Sequence, residues 1–298
     1  MRLLPLIPIL CALAALILSL LVLLAGTKPD FLESANLLTV NASQLGNIAA
    51  KHHTANTPSS TLNGLFNSLA SSTDAAYNSV VDAATRKLGL KDFYSAHMLD
   101  YCEGFYTPDA NVSRTDAGKN VTACSATGTQ FSFNVTEILQ KQLVHGVGLS
   151  DLGFDSNKIH DALELVQKIL LAAVGLYIAG IALTGLSFLT GIWSLVGSGA
   201  ADVGNSVLAF LAFLILMAAS ALATAVISKA VDAVNEFRSI GIVAYKGTAF
   251  LGMTWTAVGL MLLATVLWVW SYFAGRKGQG RRSFRGEKGT GYGDARYR

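Results

Sequence analysis

Four uncharged segments, each of at least 23 residues, constrain this 298-residue chain more than any other feature. They are the segments 3–25, 169–201, 203–228 and 247–275. A helix of ~20 apolar residues crosses the ~30 Å hydrocarbon layer of a bilayer, and in that layer a helix satisfies all of its own peptide groups. We therefore predict four transmembrane helices. Their expected bounds are about 4–25, 169–193, 205–227 and 250–273.

The overall composition agrees with a membrane protein. Hydrophobic residues make up 52% of the chain and charged residues only 14%, whereas a soluble domain has about 25% charged residues. The expected fold class is an all-α membrane protein, a bundle of four transmembrane helices. The predicted domains are a first helix at 1–25, an exterior domain at 26–168, the remaining helices at 169–273 and a tail at 274–298.

The first uncharged segment has two interpretations. A cleaved signal peptide would use Ala25-Gly26-Thr27 as its best small-residue site. However, the apolar stretch is longer than the 7–15 residues that signal peptides use, and Arg2 is the only charge before it. A retained helix is therefore the favoured interpretation.

The distribution of basic residues predicts the orientation. The segment 276–298 holds eight Lys and Arg against two acids, a net charge of 8 − 2 = +6. The segment 26–168 holds 10 basic and 14 acidic residues, a net charge of −4. Since basic residues beside a span favour the cytoplasm, both termini are predicted to be cytoplasmic. The segments 26–168 and 228–249 would then be exterior.

The glycosylation sequons give an independent signal for the same orientation. All four Asn-x-Ser/Thr sequons lie within 26–168, the segment that charge assigns to the exterior, and they predict a glycosylated domain. Their acceptors are Asn41, Asn111, Asn120 and Asn134.

Two of the three cysteines belong to this exterior segment. Cys102 and Cys124 would meet an oxidising compartment, where such pairs form disulfides. Two free thiols are the alternative. Cys11 lies within the first span and is interpreted as a small buried apolar residue.

The exterior segment is predicted to form a small α+β domain. Apolar residues spaced three and four apart over 62–88 predict one or two helices, and a helical pattern from 155 runs into the second span. Alternation over 131–135 predicts a strand. The turn-rich segment 109–129 is expected to form a hairpin or loop.

The stretch 94–104, YSAHMLDYCEG, carries a family resemblance. Its residues Tyr94, Tyr101, Cys102 and Gly104 resemble the signature of the fungal Sur-seven/PalI family of claudin-like four-span proteins. The number of spans, the large first exterior loop and the polar tail are also similar, so the resemblance covers essentially the whole chain.

The resemblance implies a multi-pass plasma-membrane protein of fungal cortical patches, such as eisosomes. Members are linked to membrane organisation, endocytic sites and cell-wall integrity. The first alternative that it implies is a PalI-type accessory of ambient-pH signalling. A claudin-like channel or calcium-influx component is the second alternative.

No catalytic constellation stands out in the sequence, and we expect neither an enzyme nor a cofactor nor a metal site. His97 is interpreted as a hydrogen-bonded structural residue, and Asp202 as a solvated surface charge in a cytoplasmic turn. The predicted spans carry no acid, base or histidine, which argues against ion-coupled transport.

The expected partners follow from the tail and the spans. The glycine-rich tail is predicted to be disordered, and its basic residues could bind anionic lipids of the inner leaflet. These residues are Arg276, Lys277, Arg281, Arg282 and Arg285. Small residues spaced four apart in the spans suit packing within one bundle or a homo-oligomer. Other cortical membrane proteins and wall polymers are further expected partners, and nucleic acid is not.

Overall fold

A computed structural model describes most of the helical part of the chain and a compact sheet. The described residues are 5–29, 31–43, 91–107, 118–128, 156–195, 199–235, 238 and 242–286. At 156–167, 199–201 and 274–286 the description covers the backbone alone. The helices are α1 (Leu6–Leu24), α2 (Ser156–Ser194), α3 (Gly199–Asn235) and α4 (Thr248–Gly286). The strands are β1 (Leu38–Asn41), β2 (Phe93–Ala96), β3 (Tyr101–Thr107), β4 (Gly118–Cys124) and β5 (Val243–Lys246).

All four helices are long and apolar enough to cross a membrane, which confirms the predicted number of spans. Helix α2 begins at Ser156, so the helical pattern before the second span is continuous with it. Helix α4 continues to Gly286, whereas the sequence predicts disorder from residue 274. Extending a helix that a span has already nucleated costs far less than starting one, so glycine-rich sequence can continue it.

Helix α1 has one buried side. The buried residues recur every three or four positions, as one face of a helix requires. They include Ile9, Ala12, Ala15, Ser19 and Val22, and Ala25 continues the series just after the helix ends. Most of them are small, so neighbouring helices can approach closely.

The strands form one antiparallel sheet in the order β4-β3-β2-β1-β5. Strand β1 lies between β2 and β5, with Leu38 opposite both Ala96 and Lys246. The sheet is not confined to the segment 26–168 of the predicted exterior domain, because β5 comes from the segment 228–249. Strand β4 lies within the segment predicted as a hairpin or loop. The helices predicted at 62–88 and the strand predicted at 131–135 lie outside the described residues.

The chain divides into two compact units. The sheet-bearing unit comprises residues 20–177 and 218–254, and the helical unit comprises 1–19, 178–217 and 255–298.

Candidate functional site: a charged cluster beside the disulfide

The two cysteines of the segment 26–168 join neighbouring strands. Cys102 of β3 lies directly opposite Cys124 of β4, and the disulfide predicted between them is present. The sulfur of Cys102 is fully buried, in a small core with Phe93, Tyr106 and Val121. The rings of Phe93 and Tyr106 pack with their centroids 5.2 Å apart.

Gly104 of the signature is required by the closeness of the next strand. The pairing of β3 with β4 shifts register between Glu103 and Gly104. A Cβ atom at Gly104 would lie 2.1 Å from the backbone oxygen of Asn120. Any side chain would therefore push β4 away from the disulfide.

The signature tyrosines fix the ends of the same hairpin. Tyr94 is buried, and its hydroxyl accepts a hydrogen bond from the Lys91 amide over 3.3 Å. Burial also raises the pKa of Tyr94 above its ordinary range. The Tyr101 amide donates to the Ser125 hydroxyl over 3.1 Å, and the Tyr101 carbonyl accepts from the Ser125 amide over 2.8 Å. The signature residues therefore hold β2, β3 and the segment after β4 in their positions relative to one another.

Two of the four predicted glycan acceptors lie in described strands. Asn120 is exposed on β4, an edge strand of the described sheet. Asn41 ends β1, where it is half-buried and its side-chain oxygen accepts a hydrogen bond from the Ser43 amide over 3.0 Å. Asn111 and Asn134 lie outside the described residues.

A buried histidine stands between two carboxylates at the turn between β2 and β3. His97 Nε2 lies 3.5 Å from Glu33 Oε2, and His97 Nδ1 lies 3.6 Å from Asp100 Oδ1. His97 and Asp100 are both fully buried. Within the described part of the chain, neither ring nitrogen has a hydrogen-bond partner, and neither does Asp100 Oδ1. The His97 amide donates to the Asp100 carbonyl over 2.9 Å, so the backbone of His97 is hydrogen-bonded as predicted while its ring makes close contacts with two carboxylates.

Lys119 supplies the positive charge of this cluster. Its Nζ donates to Glu33 Oε1 over 3.1 Å, to Ser95 Oγ over 3.1 Å and to Thr39 Oγ1 over 3.2 Å. It also lies 4.9 Å from the centre of the Phe93 ring, a cation–π distance. Glu33 therefore bridges Lys119 and His97.

The surroundings move the pKa values of His97 and Asp100 in opposite directions. Burial lowers the pKa of His97, and Lys119 lowers it further while Glu33 opposes the change. Burial raises the pKa of Asp100 to about 6, with Glu33 adding to the rise and a hydrogen bond from Thr127 opposing it. Both effects disfavour the charged form of a buried group. The charge state of the cluster consequently changes in mildly acidic conditions.

Gly26 connects this charged cluster to the end of α1. Its φ angle is +82°, a conformation that favours glycine, and a Cβ atom there would lie 2.4 Å from His97 Nδ1. Its carbonyl oxygen lies 3.3 Å from Cys102 Sγ. The chain that leaves α1 is therefore packed directly on His97 and on the disulfide.

The cluster does not fit a metal ion. Ligand atoms of Glu33, His97 and Cys102 lie within 4.8 Å of one another. The sulfur of Cys102, however, is bonded to Cys124 and offers no thiolate. One oxygen of Glu33 is also occupied by Lys119.

The helical unit holds a second polar cluster, which the sequence prediction missed. Asn205 of α3 is buried, and its amide is oriented so that the nitrogen donates to Thr190 Oγ1 over 2.8 Å and to Ser187 Oγ over 3.0 Å. Its oxygen accepts from Trp268 Nε1 over 3.2 Å. The cluster therefore joins α2, α3 and α4. The available signal was a single asparagine in an otherwise apolar run.

Asp202 lies one turn before Asn205 and also differs from its prediction. It is 2% exposed and accepts a hydrogen bond from Ser194 Oγ over 2.5 Å. The interpretation as a solvated surface charge is wrong. A carboxylate in the first turn of a helix is favoured by the exposed amides there.

The predicted lipid-binding residues lie on the extended part of α4. Arg276, Lys277, Arg281, Arg282 and Arg285 belong to its last turns, where the backbone alone is described.

Comparison with known proteins gives one positive finding. A family model described as the SUR7/PalI family matches residues 4–267, which include the apolar parts of α1, α2 and α3, most of that of α4, and the whole sheet. No curated protein and no solved structure matches the chain.

Proposed function

The chain belongs to the SUR7/PalI family, and we propose that it organises the plasma membrane at fungal cortical patches, linking cell wall, membrane and cortex. The observation that carries the proposal is the sheet, because it ties a long segment before α2 and the short segment before α4 into one folded surface. A rigid surface of this kind suits attachment to wall polymers or to neighbouring membrane proteins. The basic end of α4 suits attachment to an anionic leaflet.

Imaging in living fungal cells tests this role. A fluorescently tagged copy should form static patches at the cell cortex, and deleting the gene should alter patch number and sensitivity to wall-damaging agents. A uniform distribution of the tagged protein, with normal wall sensitivity after deletion, would contradict the organising role.

The proposed orientation has its own test. Removing N-glycans should increase the gel mobility of the protein, and an epitope after residue 298 should bind antibody only after permeabilisation. Replacing Asn120 with glutamine should remove one glycan. An epitope that is accessible on intact cells would reverse the orientation and leave the family assignment untouched.

The proposed contact with anionic inner-leaflet lipid depends on the basic end of α4. A peptide of residues 274–298 should bind vesicles that contain phosphatidylserine, and its binding should fall when Arg276, Lys277, Arg281 and Arg282 become glutamine. Each basic residue near a surface contributes about 1 kcal/mol. Unchanged binding would reduce these residues to determinants of orientation.

A specific observation favours a second candidate, the PalI-type accessory of ambient-pH signalling. His97 and Asp100 are buried together at the turn beside Gly26, and their charges face Glu33 and Lys119. A change of pH therefore alters charge at a point where α1 meets the sheet. Alkaline growth should depend on the gene, and Asp100→Asn, which stays neutral where Asp100 is ionised, should reproduce the defect while the protein still reaches the surface. Normal alkaline growth of the deletion strain would eliminate this candidate.

A further inference from the structure

The disulfide is what keeps the charged cluster from offering a complete set of metal ligands. Ligand atoms of Glu33, His97 and Cys102 already lie within 4.8 Å of one another. A carboxylate oxygen, an imidazole nitrogen and a thiolate sulfur are all ligands that zinc accepts. Because the sulfur of Cys102 is bonded to that of Cys124, reduction of this one bond would supply two thiolates at the same place.

The spacing of Glu33 and His97 fits a tetrahedral ion. An oxygen and a nitrogen bound to one zinc ion are about 3.3–3.5 Å apart, as metal–ligand distances of about 2.0–2.2 Å require. His97 Nε2 and Glu33 Oε2 are 3.5 Å apart. Lys119 binds the other oxygen of Glu33, Oε1, so an ion beside Oε2 would not have to displace it.

The ring of His97 is placed as a metal-bound histidine is. It is fully buried, and among the described residues neither of its nitrogens has a hydrogen-bond partner. Burial without a partner is unfavourable for a polar group, and a bound ion would remove that cost at Nε2. Asp100 Oδ1 lies 3.6 Å from the second nitrogen, Nδ1, where a carboxylate commonly orients a histidine that binds a metal.

The charges of the cluster would balance around a divalent ion. Two thiolates and the Glu33 carboxylate together carry −3. The ion and the Lys119 ammonium carry 2 + 1 = +3, and Lys119 Nζ lies only 3.1 Å from Glu33 Oε1. A buried charge is tolerated when neighbouring charges compensate it, and these residues provide that compensation.

We propose that reduction of the disulfide creates a zinc site formed by Glu33, His97, Cys102 and Cys124. The reductant is a dithiol, whose first thiolate attacks the sulfur of the half-buried Cys124 and releases Cys102 as a thiolate. Its second thiol then resolves the mixed disulfide, so the reductant leaves as a disulfide after giving up two electrons and two protons. Zinc binds the two cysteines as thiolates and releases two protons. The proposal goes beyond membrane organisation, because it makes metal binding by the sheet depend on redox state.

The experiment uses the full chain in detergent with Cys11→Ser, so that every thiol belongs to the pair Cys102 and Cys124. The protein is reduced with an immobilised dithiol without oxygen and is then titrated with Co²⁺, a spectroscopic substitute for Zn²⁺. The reduced chain should bind one equivalent with intense sulfur-to-cobalt absorption that Zn²⁺ abolishes, and the oxidised chain should show none. Zn²⁺ should also protect both thiols from alkylation, as measured by peptide mass spectrometry.

Two variants test the ligands that are not cysteines. His97→Gln and Glu33→Gln should each weaken Zn²⁺ binding by the reduced chain by more than about 10-fold. His160→Gln is the matched control, because His160 belongs to α2 and not to the cluster. It should leave the affinity unchanged, which separates the proposed site from zinc bound by other histidines.

A folding measurement keeps the test decisive if reduction unfolds the sheet. Metal binding then contributes to folding, so Zn²⁺ should restore the near-ultraviolet circular dichroism of the reduced chain but not that of reduced His97→Gln. Absence of cobalt–thiolate absorption from the reduced chain, or equal affinities of the His97→Gln and His160→Gln variants, would overturn the proposal. Neither result affects the cortical-patch role, which imaging tests.

Discussion

The sheet-bearing unit and the helical unit bury polar groups in different ways. The sheet-bearing unit buries ionisable groups, with His97 between Glu33 and Asp100 and with Lys119 bound to Glu33. The helical unit joins its helices through Asn205, whose partners are hydroxyl groups and an indole. Hydrocarbon around a spanning helix makes a charge far more costly than an amide or hydroxyl. The helical unit also buries one carboxylate, Asp202, but it lies in the first turn of α3 and not in the middle of the span, so the clusters within the span itself are neutral.

The largest expected effect concerns the disulfide of the sheet-bearing unit. Cys102→Ser or Cys124→Ser should lower the free energy of unfolding of the sheet by about 2–5 kcal/mol, the usual loss when a small domain loses a native disulfide. The double variant should be no worse than either single variant, because all three lack the same bond. Thermal unfolding of the purified chain, followed by near-ultraviolet circular dichroism, measures the loss.

Cys11→Ser is the matched control, because Cys11 is buried in the helical unit and forms no disulfide. It should leave the unfolding of the sheet unchanged. If the double cysteine variant were less stable by the sum of the single losses, the bond could not be the shared cause.

The next effect is the pH dependence of the buried charges. The folded state raises the pKa of Asp100 from its ordinary value of 3.8 to about 6, so the folded state holds this proton more tightly. Stability therefore falls as pH rises through this window, by up to about 3 kcal/mol at 1.36 kcal/mol per pKa unit. Asp100→Asn cannot ionise, and it should be more stable than the unmodified chain at pH 7 and about equal to it near pH 4.

His97 changes the pH dependence of stability in the opposite direction. Its pKa is lowered in the folded state, so its contribution is lost as pH falls below the ordinary value of 6.5. His97→Gln should therefore reduce the loss of stability on acidification. Parallel pH profiles for Asp100→Asn and the unmodified chain would show that Asp100 does not titrate as the structure indicates.

The smallest expected effect concerns the neutral cluster of the helical unit. Asn205→Leu removes the interhelical bonds but also removes the buried amide, so the loss should be about 1 kcal/mol, near the average of interhelical hydrogen bonds in membranes. Thermal stability in detergent should show a small decrease without pH dependence. Thr184→Val is a control in the same unit, since its hydroxyl donates to the Gly180 carbonyl within its own helix. A loss as large as that of the cysteine variants would remove the contrast between the two units.

The sequence predicted the helices well and the sheet only in part, for physical reasons. A charge-free segment that is long enough to cross a bilayer can form few structures other than a transmembrane helix. Four such segments predicted α1 to α4. Strand β2 is buried at all four positions, so it lacks the alternation by which a half-buried strand is recognised. The second partner of β1 is β5, which lies far along the chain, and no local sequence pattern predicts such a pairing.

The candidate site divides in the same way. The disulfide between Cys102 and Cys124 was predicted from the oxidising compartment expected for their segment and from the small number of cysteines, because two cysteines in one segment allow only one pairing. The charged cluster was not predicted, because Glu33, His97 and Lys119 are distant in sequence and only the sheet and the turn after α1 bring them together. Asp202 was misjudged because a turn in sequence was assumed to be open to water.

The pairing of β1 with β5 makes completion of the sheet depend on the timing of synthesis. Val243 lies 202 residues after its partner Asn41 (243 − 41). At ~5–20 residues per second, β1 waits on the order of 10–40 s for this neighbour to be made. During that interval one edge of β1 can pair with another chain, and a chain that stops after α3 never closes that edge. A ribosome that stalls between α3 and β5 would therefore leave an aggregation-prone membrane protein even though three of its helices are complete.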